Sequence, residues 1–286
     1  LSHLWENGRP FEEVDERIIR DMFSGIQNRT RKERFVMVFR KLARIAAILL
    51  IPLLSVLSGY LYFNPVNQEE GIGNLVVHAD RGERSGVTLP DGTQVKLNAE
   101  SSLSYTHDFG RELRQVNLEG EAYFEVTRNE DKPFVVHTKY LDIEVLGTSF
   151  NVYSYERENV MEMALISGRI KIQTCSEPSR VVYLKPNEKA LFNKESGIIT
   201  VEKTDNRFET AWLRGDLVFR STTLSDVLAK LERRYGVNIH LNDSSLANDL
   251  FTGNFDSEYI VEVMDLLERH YDFTYDVRGD DIFIHP

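Results

Sequence analysis

LPDGTQVKL (89–97) decides how the middle of the chain is read. Asp91-Gly92 lies between short alternating segments. An Asp-Gly pair there signals a hairpin, because the favoured two-residue turn needs positive φ at both central positions. The same punctuation continues outward through RQVNLEGEAYFEV (114–126), KPFVVHT (132–138), LDIEVLGTSFNVYSY (141–155), ALISGRIKIQ (164–173), ALFN (190–193) and GIITVEK (197–203). Strands this short and closely spaced point to an antiparallel sandwich, a barrel or a rolled β-solenoid from Leu75 to about Thr204. No Gly-rich phosphate loop opens a helix here, and no Ser/His/Asp or paired-carboxylate arrangement emerges from the spacing. The stretch does not read as a turnover enzyme.

One strand breaks its own rule. In LDIEVLGTSFNVYSY the apolar residues fall on odd positions before Gly147 (Leu141, Ile143, Val145) and on even positions after it (Phe150, Val152). A period-two strand changes parity only at a bulge, kink or break, so the backbone deviates near Gly147-Thr148. The plain reading is a glycine bulge that re-aims the chain. The sharper reading is a strained peptide whose Thr148 hydroxyl attacks the Gly147 carbonyl, giving an ester open to hydrolysis.

Toward the C-terminus, FRSTTLSDVLAKLERRYGVNIHL (219–241) aligns without gaps on FDSEYIVEVMDLLERHYDFTYDV (255–277), an offset of 36 residues. Apolar positions at i, i+3, i+4 and i+7 predict one helix in each copy. Thr223 with Asp226 suits the first N-terminus, Ser257 the second, and Gly236 ends the first helix. Each unit reads strand–helix–strand, led by 215–220 and 250–255. A final hairpin turns at Arg278–Asp281 into Ile282, Phe283 and Ile284. Two such units make a small α/β domain, and its open strand edges suit strand addition by a partner, with Ile282, Phe283 and Ile284 the partner-binding candidates.

Toward the N-terminus the pattern is helical. IAAILLIPLLSVLSGYLYF (45–63) is uncharged, and nineteen residues at about 1.5 Å each span roughly 28 Å, close to the hydrocarbon thickness of a bilayer. Seven Lys/Arg between Arg29 and Arg44 precede it, and the next basic residue is Arg81. That asymmetry predicts a single transmembrane helix with the N-terminus in the cytoplasm. Val14, Ile18 and Met22, at four-residue spacing, form the stripe of an amphipathic helix that needs a partner. The first residue is Leu1, so the expectation is that this cytoplasmic segment is incomplete.

Charge divides the chain in the same way. Residues 1–44 hold ten basic and seven acidic side chains, residues 64–286 hold 24 and 38. The acidic outer part argues against nucleic acid there, and the basic cluster suits orientation and anionic lipid. Cys175 is the single cysteine and the seven histidines are scattered, so neither a disulfide framework nor a metal site is expected, and no cofactor.

VTLPDGTQVKLNAESSLSY, RQVNLEGEAYFEV, KPFVVHT, IEVLGTSFNVYSY and SGRIKI together resemble the FecR family of membrane-spanning anti-sigma factors. The tail from Trp212 (WLRGDLVF, LERRYGVNI, TGNF, MDLLER) resembles the C-terminal domain that follows FecR in many of these proteins, which is similar to the secretin/TonB short N-terminal module. LKPNEKA (184–190) departs from the family's Pro-Gly turn, but Asn187 can take the same left-handed conformation. The resemblance implies cytoplasmic helices (1–44) that hold an extracytoplasmic-function sigma factor, a transmembrane helix (45–63), a periplasmic β-rich domain (64–208) and a C-terminal domain (209–286). The last would read the signalling domain of a SusC- or FecA-type TonB-dependent receptor. It also implies an inner-membrane location and, since some members split at a matching Gly–Thr, self-cleavage at Gly147-Thr148 as a single event. A competing reading is a membrane-anchored β-domain that binds glycan or peptidoglycan through Tyr105, Phe109, Tyr123, Tyr153 and Tyr155.

Overall fold

The computed structural model describes residues 74–242, 244–256 and 259–285 and, ahead of them, Leu54 and Ser58. The stripe Val14, Ile18, Met22 and nearly all of the uncharged run 45–63 lie outside the described residues. Among the described residues no helix is long and apolar enough to cross a membrane. The fold that follows belongs to one compact unit, Ile72–Pro286.

Among the described residues thirteen strands build the β-domain: β1 (Leu75–Ala79), β2 (Ser85–Thr88), β3 (Gln94–Leu97), β4 (Ser101–Tyr105), β5 (Arg114–Glu125), β6 (Phe134–His137), β7 (Leu141–Val145), β8 (Ser149–Ser154), β9 (Val160–Ser167), β10 (Ile170–Thr174), β11 (Val181–Leu184), β12 (Glu188–Asn193) and β13 (Ile198–Lys203). They form two sheets joined through β5, whose first half pairs β4 and β6 and whose second half pairs β3 and β8. Gly120, at φ 93, marks the turn-over point, and a Cβ there would lie 2.3 Å from Ser101 Oγ. One sheet runs β1-β4-β5-β6-β7-β10-β11, the other β2-β3-β5-β8-β9-β12-β13. The hairpins β6–β7, β8–β9, β10–β11 and β12–β13 are therefore laid alternately on the two sheets. The architecture is a sandwich wound like a roll, and its alternating inner residues make one core. Phe124 stacks on Phe150 at 5.0 Å and meets Phe134 edge-on at 6.2 Å in its centre.

The Asp91-Gly92 turn forms the expected hairpin by a different geometry. Only Gly92 has positive φ (84°). Gly92 N–H donates to Leu89 O and Leu89 N–H to Thr93 O, which is a type I turn closed by a glycine bulge. Pro90 explains it, since its fixed φ suits the first central position of a type I turn, and without an N–H it cannot close the two-residue turn centred on Asp91-Gly92.

The C-terminal domain comprises β14 (Asp216–Thr223), α1 (Leu224–Tyr235), β15 (Asn238–Leu241), β16 (Leu250–Asp256), α2 (Ile260–Tyr271), β17 (Thr274–Arg278) and β18 (Asp281–His285). The repeat is visible in its core: Phe219 and Phe255, Val227 and Val263, Leu231 and Leu267 are all buried. Thr223 Oγ1 accepts from Asp226 N–H, and Gly236 closes α1 at φ 71. Asp272, its counterpart 36 residues on, closes α2 at φ 57. The second N-cap is Tyr259 rather than Ser257, and the Glu262 carboxylate accepts from its N–H. Strands β14 and β16 pair with each other, while β15, β18 and β17 make a separate sheet in that order.

Candidate functional site

The parity change is a crossing between sheets. β7 belongs to one sheet and β8 to the other, so Leu146–Thr148 carries the chain over, and each strand keeps its own alternation. The expected bulge lies elsewhere, in the β8–β9 pairing between Ser149 and Phe150. The return crossing, Gly168–Arg169 between β9 and β10, packs against the first. Thr148 Oγ1 donates to Arg169 O at 3.1 Å, and Thr148 is 3% exposed. Among the described residues no carboxylate or imidazole bonds that hydroxyl. Gly147 is required by close approach, since a Cβ would lie 2.6 Å from Arg128 Cα. Around the crossing runs a cleft of about 590 Å³ lined by Arg128, Glu144, Arg169 and Tyr183 among others.

Gly168 is held more tightly still. It sits at φ 93, and a Cβ would come within 2.6 Å of Thr148 Oγ1 and 2.8 Å of Gly147 O. Gly168→Ala is expected to cost roughly 1–3 kcal/mol from backbone strain, before the clash is counted. Gly197→Ala is the comparison, because Gly197 also has positive φ (65°) but, among the described residues, nothing within 4 Å of its Cβ position. Chemical denaturation of both variants checks this, and equal losses would mean that the Thr148 contact carries no weight.

The second site is the junction between the β-domain and the C-terminal domain. After β13 the chain enters a 3-10 turn, Ala211–Arg214, that lays Trp212 (6% exposed) on the outer face of the second sheet. Trp212 Nε1 donates to Asn151 Oδ1 at 3.0 Å, and Asn151 Nδ2 donates to Glu121 Oε1 at 2.9 Å. From the other side Arg84 Nε donates to Asn98 Oδ1, and Asn98 Nδ2 to Glu121 Oε2 at 2.7 Å. Tryptophan and arginine are donors only, so they orient both amides with their NH₂ groups toward Glu121. Burial nevertheless pushes the Glu121 carboxyl up to about 7, the two amide hydrogen bonds and Lys230 pulling against it and Glu162 adding to it. The last turn of α1 completes the junction. Arg233 pairs with Glu158, donates to Tyr153 OH at 3.1 Å, and lies 3.9 Å over the Tyr155 ring. Arg233 O accepts from Gly82 N–H at 2.7 Å, and Arg81 bonds Val237 O.

These residues did not stand out in the sequence. Glu121, Asn151 and Ala164 occupy outward positions of alternating strands, which read as solvated, yet all are buried because the C-terminal domain covers that face. The one signal available was the polar pair Glu121 and Asn151 beside a tryptophan-led linker.

The C-terminal strand candidates are placed differently from the expectation. β18 is paired on both sides, by β15 in parallel and by β17 antiparallel. Ile282 and Ile284 are each 1% exposed and belong to the core, while Phe283 faces the other way and stacks on His240 at 4.7 Å. The edges open to strand addition in this sheet are those of β15 and β17.

Two crystal structures of a candidate anti-sigma factor from Parabacteroides distasonis ATCC 8503 match this fold. Each is 34% identical, with a TM-score of 0.68, covering 74% of this chain and 98% of that one. The FecR protein family matches residues 76–171, and the FecR C-terminal family matches 216–284. The chain belongs to the FecR family. In this FecR protein the first match ends inside β10 and the second starts with β14, so the strands β11–β13 and the Trp212 turn lie between them. No curated protein matches the chain.

Proposed function

We propose that the chain is a single-pass inner-membrane anti-sigma factor. It relays a signal from a TonB-dependent outer-membrane receptor to an extracytoplasmic-function sigma factor. The observation that carries this reading is the match to the crystallised chain of the P. distasonis anti-sigma factor candidate, 98% of which is covered at 34% identity. The charge asymmetry about residues 45–63 supports the membrane anchor and its orientation. Segment 1–44, with the stripe Val14, Ile18 and Met22, is the sigma-binding part in this reading. The C-terminal domain is the receptor-facing part, through the edges of β15 or β17. Co-purification of the tagged full chain with extracytoplasmic-function sigma factors from the same genome is the deciding experiment. Retention of one of them, lost on deleting residues 1–44, is expected; recovery of none sinks the proposal.

Self-cleavage at Gly147-Thr148 is the finer part of the same reading. The reaction needs the Thr148 hydroxyl to leave Arg169 O and add to the Gly147 carbonyl carbon. That would break the peptide C–N bond, form an ester, and let water release a new carboxylate. On an immunoblot of protein tagged at both ends, two fragments are expected for wild type and one band for Thr148→Ala. One intact band in both would return the crossing to a purely structural role. Glycan binding is not favoured, because Tyr105, Phe109 and Tyr155 of its proposed aromatic set are core residues at 9%, 7% and 5% exposure.

A further inference from the structure

The junction encloses a cleft of about 770 Å³ between the outer face of the second sheet and α1. That is within the size range of small-molecule sites, roughly 300–1,000 Å³. Its charged lining holds both signs: Glu121, Glu202 and Lys203 have no ion-pair partner among the described residues, Asp205 pairs with Arg207, and others are paired within the cleft. Glu158 is paired with Arg233, Glu162 and Glu209 with Lys189, and Asp216 with Arg214. Arg84, Arg220, Lys230 and Arg234 also line it, and among the described residues none of the four has a carboxylate within ion-pair distance. Their charges rest on aromatic faces instead: Arg84 5.7 Å over Trp212, Arg220 3.2 Å over Phe208, Lys230 5.2 Å over Tyr153 and Arg234 5.7 Å over Tyr235.

Arg234 is the anomaly. Its Nε is buried and, among the described residues, has no hydrogen-bond partner, a state uncommon in folded proteins. Arg84 lines the same cleft from the β-domain. Burial and the charge of Arg234 hold Arg84 below the ordinary arginine value, against the pull of Glu121, Tyr155 and Asp216. Two like charges facing one cleft, one with an orphan donor, are relieved together by an oxyanion, which accepts from both forks.

We propose that the cleft binds a small organic oxyanion, a carboxylate or a phosphate ester, gripped between Arg84 of the β-domain and Arg234 of α1. Arg220 and Lys230 supply the outer contacts. Because the two arginines belong to different domains, occupancy ties the C-terminal domain to the β-domain and links a soluble metabolite to the geometry that the partner meets.

Trp212 provides the readout. Trp5 is the other tryptophan, so Trp5→Phe in the full chain leaves the indole beneath Arg84 as the sole tryptophan, excited selectively at the red edge where tyrosine does not absorb. Inorganic phosphate and glutarate are titrated separately, each against sodium chloride at matched ionic strength. A saturable change with either probe is expected, with the affinity falling about tenfold or more in Arg234→Gln and Arg84→Gln. Tighter binding of phosphate assigns the ligand to the phosphate esters, tighter binding of glutarate to the carboxylic acids. Arg111→Gln, at an exposed site outside the cleft, is expected to leave both titrations unchanged. Should Arg84→Gln fail to fold by circular dichroism, the solvent-facing Arg220→Gln takes its place and is expected to weaken binding several-fold. A response that does not saturate, that sodium chloride reproduces, or that survives Arg234→Gln overturns the proposal.

Discussion

Replacing Arg114 with alanine is expected to lower the unfolding free energy by roughly 3–5 kcal/mol, the scale for stripping one partner from a buried ion pair. Arg114 starts β5, is 2% exposed, and spends every nitrogen on the surrounding chain. Nε donates to Lys132 O at 2.8 Å, Nη1 to Thr127 O at 2.8 Å and to Asp91 Oδ2 at 3.0 Å, and Nη2 to Asn129 O at 3.2 Å. Its plane also lies 5.8 Å from the Phe134 ring. One side chain thus ties the β2–β3 turn to the segment that joins β5 to β6. Alanine would leave three carbonyls and a carboxylate facing a void. Arg114→Lys is expected to recover only part of the loss, because a single ammonium cannot satisfy a fork of four acceptors. Urea denaturation followed by circular dichroism measures both. A loss under 1 kcal/mol for alanine would mean that water fills the cage without penalty.

Raising the pH from about 4.5 to about 7 is expected to destabilise the fold by roughly 3 kcal/mol through Glu121 alone, since its carboxyl moves from an ordinary 4.5 to about 7 on folding. The direction follows from which state keeps the proton. Below the lower value both folded and unfolded chains are protonated and the stability is whole. Through the window only the folded chain holds the proton, so stability falls as pH rises. Above the upper value both are ionised and the full cost of the buried charge is present. Glu121→Gln is expected to remove this slope while losing one hydrogen bond, because Asn98 and Asn151 both present NH₂ groups and glutamine offers one oxygen. The measurement is the wild-type minus variant difference in unfolding free energy across pH 4–8, which cancels the other titrating groups. A flat difference would show that the two amides and Lys230 offset the burial of the charge.

Much of this architecture was legible before any tertiary contact was known. The hairpin at Asp91-Gly92, the helix of each repeat and the closing turn at Gly236 follow from a few neighbouring residues, and local sterics decide them. Even the parity change at Gly147 announced a break, although period-two reasoning could not tell a bulge within one sheet from a crossing between two. Pro90 was also in plain view, and its fixed φ together with its missing N–H selects the observed turn.

Other features depended on what the fold brings to a surface from far along the chain. Glu121 and Asn151 stand on the outward face of their strands, and they are buried because Trp212, 61 residues beyond Asn151, is laid over them. Ile282 and Ile284 had the pattern of an edge strand, and β18 lies between β15 and β17 because the final hairpin folds back beside the first repeat. The acceptors of Arg114 are mostly backbone carbonyls, which every residue carries and no sequence marks. Sequence by itself therefore determined the strand punctuation, the two helices and the caps of the first, because those are set within a few residues. Only the tertiary structure decided which polar faces are covered, which strand is central and which cations remain unpaired, because burial and charge pairing depend on elements distant in the chain.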